Sequence, residues 1–324
     1  MTLKTLTRLL TAGMLVAASA TSVAAEWPEK PVRVIVVYPG GGVSDSVTRA
    51  VSEKLASSLG VPFVVENKGG AGGTVGMADI SRATPDGYTI GFSSISPLAL
   101  SPLINKVQYD PQKDIAPVAS VMVSPVILLG TKAFQGNSVD DIISQSKASP
   151  GVLRWATSGP GSVGHLMLEQ FQHAAKIEVT HIPYKGSAQQ QTDALGGQFE
   201  LISTNAGPAM TGNIEKGALK PLAIAAPARV SFLPNVPTFT ELGYPKANMM
   251  SVFGFFAPAG TPKPVIDKLN AEINRIVASP DIQKLLVSSS NIPATGTPEQ
   301  FAQDIQDEYQ ANRALIENAG LSLK

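Results

Sequence analysis

Short β-branched runs and amphipathic helical stretches alternate along most of the chain, which predicts βαβ units and a mainly parallel sheet. Val32 to Val37 is the first run. Beyond three glycines, Val47, Ala50, Val51, Leu55 and Leu59 recur at spacings of three and four, the period of a helix that stops at Gly60-Val61-Pro62. Phe63 to Glu66 predicts a second strand, feeding the turn Gly69-Gly70-Ala71-Gly72-Gly73. Tyr88 to Phe92 predicts a third, running into Ser93 and Ser94.

The pattern resumes after a break. Leu153 to Ala156 reads as a strand, followed by Thr157-Ser158-Gly159-Pro160-Gly161 and a helix whose apolar stripe is Val163, Leu166, Met167, Phe171 and Ala174. Glu178 to Ile182 is the next strand. Ser187-Ala188-Gln189-Gln190 has the spacing of a capping box and would open a helix ending at Gly196-Gly197. Phe199 to Ser203 then delivers Thr204 and Asn205. From Pro258 onward the pattern is helical, with long segments at Pro264 to Val277 and Phe301 to Asn318. A helical tail without strands of its own needs a sheet to pack on, so it is expected to return to the first domain. The expected fold class is α/β: two doubly wound domains with a cleft between them. Residues 26–125 plus 251–324 would form one, residues 126–250 the other, and the chain would cross between them at least twice. No fixed-period repeat is present.

The first 25 residues change how the rest is read. Lys4 and Arg8 supply a positive start, Leu9 to Ala20 an apolar run, and Val23-Ala24-Ala25 a small-residue cleavage site before Glu26, which together predict an export signal cleaved after Ala25. The apolar run is shorter than the roughly 20 residues that span a bilayer. A periplasmic location is expected for the mature chain. Losing Lys4 and Arg8 shifts the formal count from 25 basic and 25 acidic side chains to 23 and 25, a balance that argues against a nucleic-acid partner. The sequence has no cysteine, which excludes thiol catalysis, thiolate metal sites and iron–sulfur clusters.

In open α/β sheets, ligands sit beyond the carboxyl ends of the strands, where helix starts expose free N–H groups and the positive end of the helix dipole. The segment "VYPGGGVSDSVTR" lies at such a place. Gly40, Gly41 and Gly42 can bring bare backbone close to an anionic oxygen while Ser44 adds a hydroxyl, or they can simply make a flexible turn. Other chemistries fail on spacing. No GxxxxGK phosphate loop occurs, Gly70 to Gly76 is one residue too long for a dinucleotide fingerprint, and neither Ser44 nor Ser162 sits in GxSxG. His165 and His173 would stand about 12 Å apart on one helix, too far to share a metal. His173 and His181 are read as structural or surface residues, while His165 lies one turn into a helix that faces the supposed cleft. Lys68 and Lys185 follow strands and are either anion-attracting or solvated. Asp45 is expected to cap its helix or pair with Arg49. No metal or cofactor is expected.

Eight motifs in order, "YPGGGVSD" with Arg49, "VVENKGGAGGTVG", "ATPDGYTI", "YDPQKDIAPVA", "TSGPGSVGHL", "IPYKGSAQQQTDALGGQFE", "LPNVPTFTELGYP" and "FFAPAGTPKPVIDKLNAEI", resemble the periplasmic solute-binding receptors of tripartite tricarboxylate transporters, the Bug receptors of Bordetella. The resemblance covers nearly all of the mature chain. It implies a two-lobed, hinge-closing protein, expected to be monomeric, that traps a small carboxylate and presents it to membrane subunits. Carried onto this sequence, it implies a ligand site from Tyr38 through Gly40, Gly41, Gly42, Ser44 and Asp45, with Ser93, Ser94, Thr157, Ser158, His165, Tyr184, Lys185 and Gly186. The family often carries an Asp where Thr204 stands beside Asn205. Losing that charge points to a di- or tricarboxylate or an aromatic carboxylate rather than an amino acid. The alternatives are an exported enzyme acting on a carboxylated substrate, with His165 as acid or base beside Ser158, and a receptor that feeds a sensor kinase.

Overall fold

The structure, a computed structural model, describes residues 27–319, so the expected export signal lies outside the described residues. The described strands form two sheets. The first has the order β11-β4-β10-β3-β1-β2, built from β1 (Val32–Val36), β2 (Phe63–Asn67), β3 (Thr89–Ser94), β4 (Ile115–Ser124), β10 (Ser251–Pro258) and β11 (Ile292–Pro293). The second has the order β7-β6-β8-β5-β9, from β5 (Val126–Gly130), β6 (Arg154–Thr157), β7 (Thr180–Pro183), β8 (Leu201–Asn205) and β9 (Lys220–Ala225). The chain therefore builds most of one lobe, crosses to build the other, and crosses back.

Apart from Arg33, which pairs with Glu66 of β2, the residues of β1 are apolar on both faces. Val32, Val34 and Val36 pack against Val47, Val51 and Leu55 of helix α1 (Val43–Leu59). Ile35 faces the opposite way, onto Met77 and Ile80 of α2 (Thr74–Ser81) and onto Phe256 and Phe301. A strand covered by helices on both faces has no polar side. In the second lobe Trp155 and Phe171 pack with ring centroids 5.8 Å apart on one face of the sheet, while Ile127, Leu129 and Ile202 cover the other.

The sheets are mixed rather than mainly parallel. β1 pairs in parallel with β2 and β3, and β6 with β7 and β8, as βαβ units require. β10 runs antiparallel to β3 and β4, and β5 runs antiparallel to β8 and β9. The reason is geometric. β4 ends at Ser124 on the edge that faces the other lobe, so a chain crossing there must start β5 at that edge and run away from it. β10 enters the first sheet in the same way on the return, with Ser251 paired to Ser124.

The tail also differs from the expected run of helices. Between α10 (Pro280–Ser288) and α11 (Pro298–Ala319) the short strand β11 adds to the edge of β4. α9 (Lys263–Val277) and α11 return to opposite faces of the first sheet. Gly254 lets α11 come close: a Cβ there would stand 2.3 Å from the Ala119 carbonyl oxygen and 2.6 Å from Phe301 Cζ. Gly254→Ala is expected to cost about 1–3 kcal/mol, the range for overpacking a tight core, measured by chemical denaturation. An unchanged midpoint would show that helix and sheet can part without penalty.

Candidate functional site

The loop from β1 into α1 is fixed from beneath by side chains. Asn67 Nδ2 donates to the Tyr38 carbonyl at 3.1 Å, and Arg49 Nη2 donates to Asn67 Oδ1 at 3.0 Å. Arg49 Nε and the Gly41 N–H donate to the two carboxylate oxygens of Asp45, at 2.9 and 3.1 Å. Burial alone would raise the Asp45 carboxyl, but the Arg49 guanidinium and the Gly41 N–H outweigh it and hold it below its ordinary value. Tyr38 Oη lies 2.6 Å from Ser94 Oγ, and burial pushes its phenol up.

Several helices begin at this edge without a side-chain cap. The N-cap residues of α1, α7 (Ser187–Gly196) and α8 (Pro208–Glu215) are Gly42, Gly186 and Gly207, which have no oxygen to offer. Their first-turn N–H groups and dipole ends are left for another acceptor. α6 (Val163–Ala175) is the contrast, since Ser162 Oγ accepts from the His165 N–H at 3.2 Å.

The two lobes meet closely here. A Cβ on Gly186 would lie 2.4 Å from Pro39 Cδ, and one on Gly42 would lie 2.9 Å from Ser187 Oγ. Ser101 Oγ donates to the Gly161 carbonyl across the same boundary at 3.3 Å. Between the strand ends lies a narrow cavity of about 40 Å³. The first lobe lines it with the hydroxyl-bearing residues Tyr38, Ser44, Ser94, Ser96 and Ser251, the second with Ser158, Ser162, Ser187, Ser203, Thr204 and Asn205. Val43, Val126, Val163 and Phe253 supply apolar wall, and no charged side chain lines it. Larger grooves of about 620 and 560 Å³ each lie on the first lobe alone, away from the strand ends.

Of the residues singled out from the sequence, Tyr38, Ser44, Ser94, Ser158, Thr204 and Asn205 line the cavity, and Gly41 and Gly42 line the groove that adjoins it. Gly40 is exposed at the turn, Asp45 braces the loop from below, and Ser93 is buried in the sheet. Thr157 and His165 stand behind the second lobe's loop: Thr157 Oγ1 accepts from the Gly159 N–H, and His165 Nδ1 accepts from the Gly161 N–H. Tyr184 donates to Asp193, Lys185 is exposed, and Gly186 packs on Pro39. Lys68 is paired with Asp79 and Glu66 on the surface. The capping box expected at Ser187 does not form, because Gly186 takes the N-cap position and Ser187 Oγ is left to the cavity.

Ser96, Ser203 and Ser251 are lining residues that the sequence pattern did not single out. Ser251 and Val126 open antiparallel strands, and a rule that looks only at loops after parallel strands passes over them. Ser203 sits inside β8 and also donates to the Gly164 carbonyl. The signal available was a hydroxyl in every strand-edge segment.

The chain matches the model of the tripartite tricarboxylate transporter family receptor over residues 47–321. It belongs to that family. Protein BugT of Bordetella pertussis is 36% identical over 300 residues, 92% of each chain. Among solved structures, Rpa4515 of Rhodopseudomonas palustris with adipate superposes with a TM-score of 0.86 at 30% identity, covering 91% of this chain and 99% of that one. MatC of the same organism, with bound malate, gives 0.85 at 29%, covering 90% and 100%. Among the described residues of this receptor, no helix is long and apolar enough to cross a membrane.

In the receptor, Asp45 organises the first glycine loop. Asp45→Ala is expected to cost about 1–3 kcal/mol, since it strands the Gly41 N–H and the Arg49 guanidinium. The sign of the pH dependence follows from the lowered carboxyl. Its contribution is present above the ordinary value of 3.8 and is lost as pH falls through the lower folded value, so the variant should lose less stability than the parent below that point. Urea denaturation at pH 7 and pH 3 checks both.

Proposed function

We propose that this receptor works in the periplasm, after cleavage of its export signal, where a monomer captures one small organic carboxylate between its lobes and hands it unchanged to membrane subunits of a tripartite transporter. The lobes are residues 26–125 with 251–324, and residues 126–250. The observation that carries this reading is the combination at one cavity of hydroxyls from both lobes, uncapped helix starts from both lobes, and no charged side chain. Partial positive charge without a cation suits an anion of modest size. The absence of an acidic lining residue removes the partner an ammonium group would need, which favours a di- or tricarboxylate or an aromatic carboxylate over an amino acid. Adipate and malate in the two solved relatives are both dicarboxylates.

The cavity geometry also disfavours the enzyme reading. Hydrolytic and acid–base sites most often place an imidazole or carboxyl within reach of the substrate; the lining residues include neither, and the one phenol there, Tyr38, is held protonated by burial. His165 is turned to the Gly161 N–H instead.

Native mass spectrometry and calorimetry with malate and adipate test the proposal. One unchanged ligand per chain, with stabilisation by carboxylates, is the expected result; conversion of the ligand, or stabilisation by amino acids alone, would reject it. Closure is tested separately with Gly186→Ala. The added methyl collides with Pro39 across the lobes, so affinity should fall about tenfold or more through loss of the closed state, while the unfolding midpoint without ligand stays within about 2 °C of the parent.

A further inference from the structure

Behind the cleft, His165 of α6 and His181 of β7 stack face to face, ring centroids 4.4 Å apart and planes inclined by 19°. Neither lines the cavity, yet together they hold the loop that does. His165 Nδ1 accepts from the Gly161 N–H at 3.4 Å. His181 Nε2 shares a 2.7 Å hydrogen bond with Thr157 Oγ1, which itself accepts from the Gly159 N–H at 3.2 Å. Ser158 and Ser162, on the same loop, face the cavity, and the Gly161 carbonyl receives Ser101 from the opposite lobe.

We propose that His165 and His181 are positioning residues: as a neutral stacked pair they fix the Thr157–Ser162 loop for ligand capture, and their protonation releases it. This rests on the proposed function of the cleft. A ring nitrogen that accepts from a backbone N–H carries no proton, so the bond to Gly161 exists only while Nδ1 is bare. Two imidazolium rings at this spacing would repel each other and lose hydration together. The groups that face the pair are few. On α6, Glu169 Oε1 lies 3.6 Å from His165 Nε2, already accepts from Gln172, and has its carboxyl pushed up by burial, so acid neutralises it rather than setting it against the new cations. β6 and the loop present the Thr157 hydroxyl and backbone N–H groups. No other carboxylate of the described residues is within 4.0 Å of a ring nitrogen of His165 or His181. Burial pushes both imidazoles down to about 4, with His181 adding to the effect on His165, so the pair is neutral at neutral pH.

The sign is fixed by that lowering. The unfolded chain takes protons near 6.5 that the folded pair refuses, so stability should decline as pH falls from about 6.5 to about 4. The test compares the mature protein with His165→Leu, His165→Gln and the double variant His165→Gln/His181→Gln. With malate and adipate at pH 7.5, Leu, which cannot accept the Gly161 N–H, is expected to weaken binding about tenfold or more, and Gln to restore most of it. By pH 4 the parent should lose about two- to fourfold more affinity than the double variant, as half-protonation of each ring implies; the acid's own titration is common to both. Without ligand, the Gly159 and Gly161 amide resonances should titrate with acid in the parent and stay flat in the double variant. Parallel pH profiles, flat parent resonances, or full binding by the Leu variant would overturn the proposal. If neither acid binds the parent, the carboxylate reading fails, and the amide titration alone decides the role of the pair.

Discussion

The structure depends on where the chain crosses between its sheets. Ser124 and Ser251 are paired neighbours at one edge of the first sheet, and Val126 opens β5 at the facing edge of the second. Strands of βαβ units end at the cleft and point their following helix starts into it, so both sheets deliver carboxyl ends and helix N-termini to one seam. The crossing strands must then run the other way. This one constraint explains the mixed sheets, places Val126 and Ser251 in the cavity wall, and leaves two adjacent connections as the natural pivot of any lobe movement. The three glycine N-caps matter only because the crossings bring them to the same seam.

That constraint also separates what the amino-acid pattern reveals from what it hides. β1, α1, α6 and α9 were legible because their apolar periods are long and each is covered by a helix or sheet on the expected face. The loops after β1, β3, β6 and β8 were legible as cleft elements because strand-to-helix turns carry their own glycine and hydroxyl signature. β5 and β10 were not, since a buried apolar run has the same appearance whichever way it enters a sheet. β11 has two residues, too few for any period. The stacking of His165 with His181 is a tertiary event: spacing along one helix separates His165 from His173 correctly, but says nothing about a strand sixteen positions on that lands beside it. At Ser187 the capping pattern was present and lost to Gly186, whose missing Cβ is needed for contact with Pro39.

The distribution of formal charge bears directly on what the cleft can do. Asp45 is spent on Arg49 and the Gly41 N–H, Lys68 on Asp79 and Glu66, Glu200 on Arg154, and Asp193 on the Tyr184 hydroxyl. Each of these groups lies on or next to a cleft-forming element, and each is paired or hydrogen-bonded outside the cavity. What remains inside is a set of dipoles: hydroxyls and first-turn N–H groups. A helix terminus contributes about 0.3–1 kcal/mol to a nearby charge at the surface and up to about 2 kcal/mol where partly buried. Several such ends converging on one narrow cavity could hold a carboxylate without any single strong partner.

Distributed holding has a consequence for release. A guanidinium–carboxylate fork concentrates binding in two charge-assisted bonds that survive until both break, whereas dipoles presented by two lobes lose half their number once the lobes part. On the proposed function the grip depends on closure itself, and closure in turn on contacts such as that of Gly186 with the Pro39 ring, where an added methyl has no room. If the receptor gives up its guest unchanged, as proposed, a site with no cation of its own would make affinity a property of the closed state, and opening the seam would be sufficient for delivery.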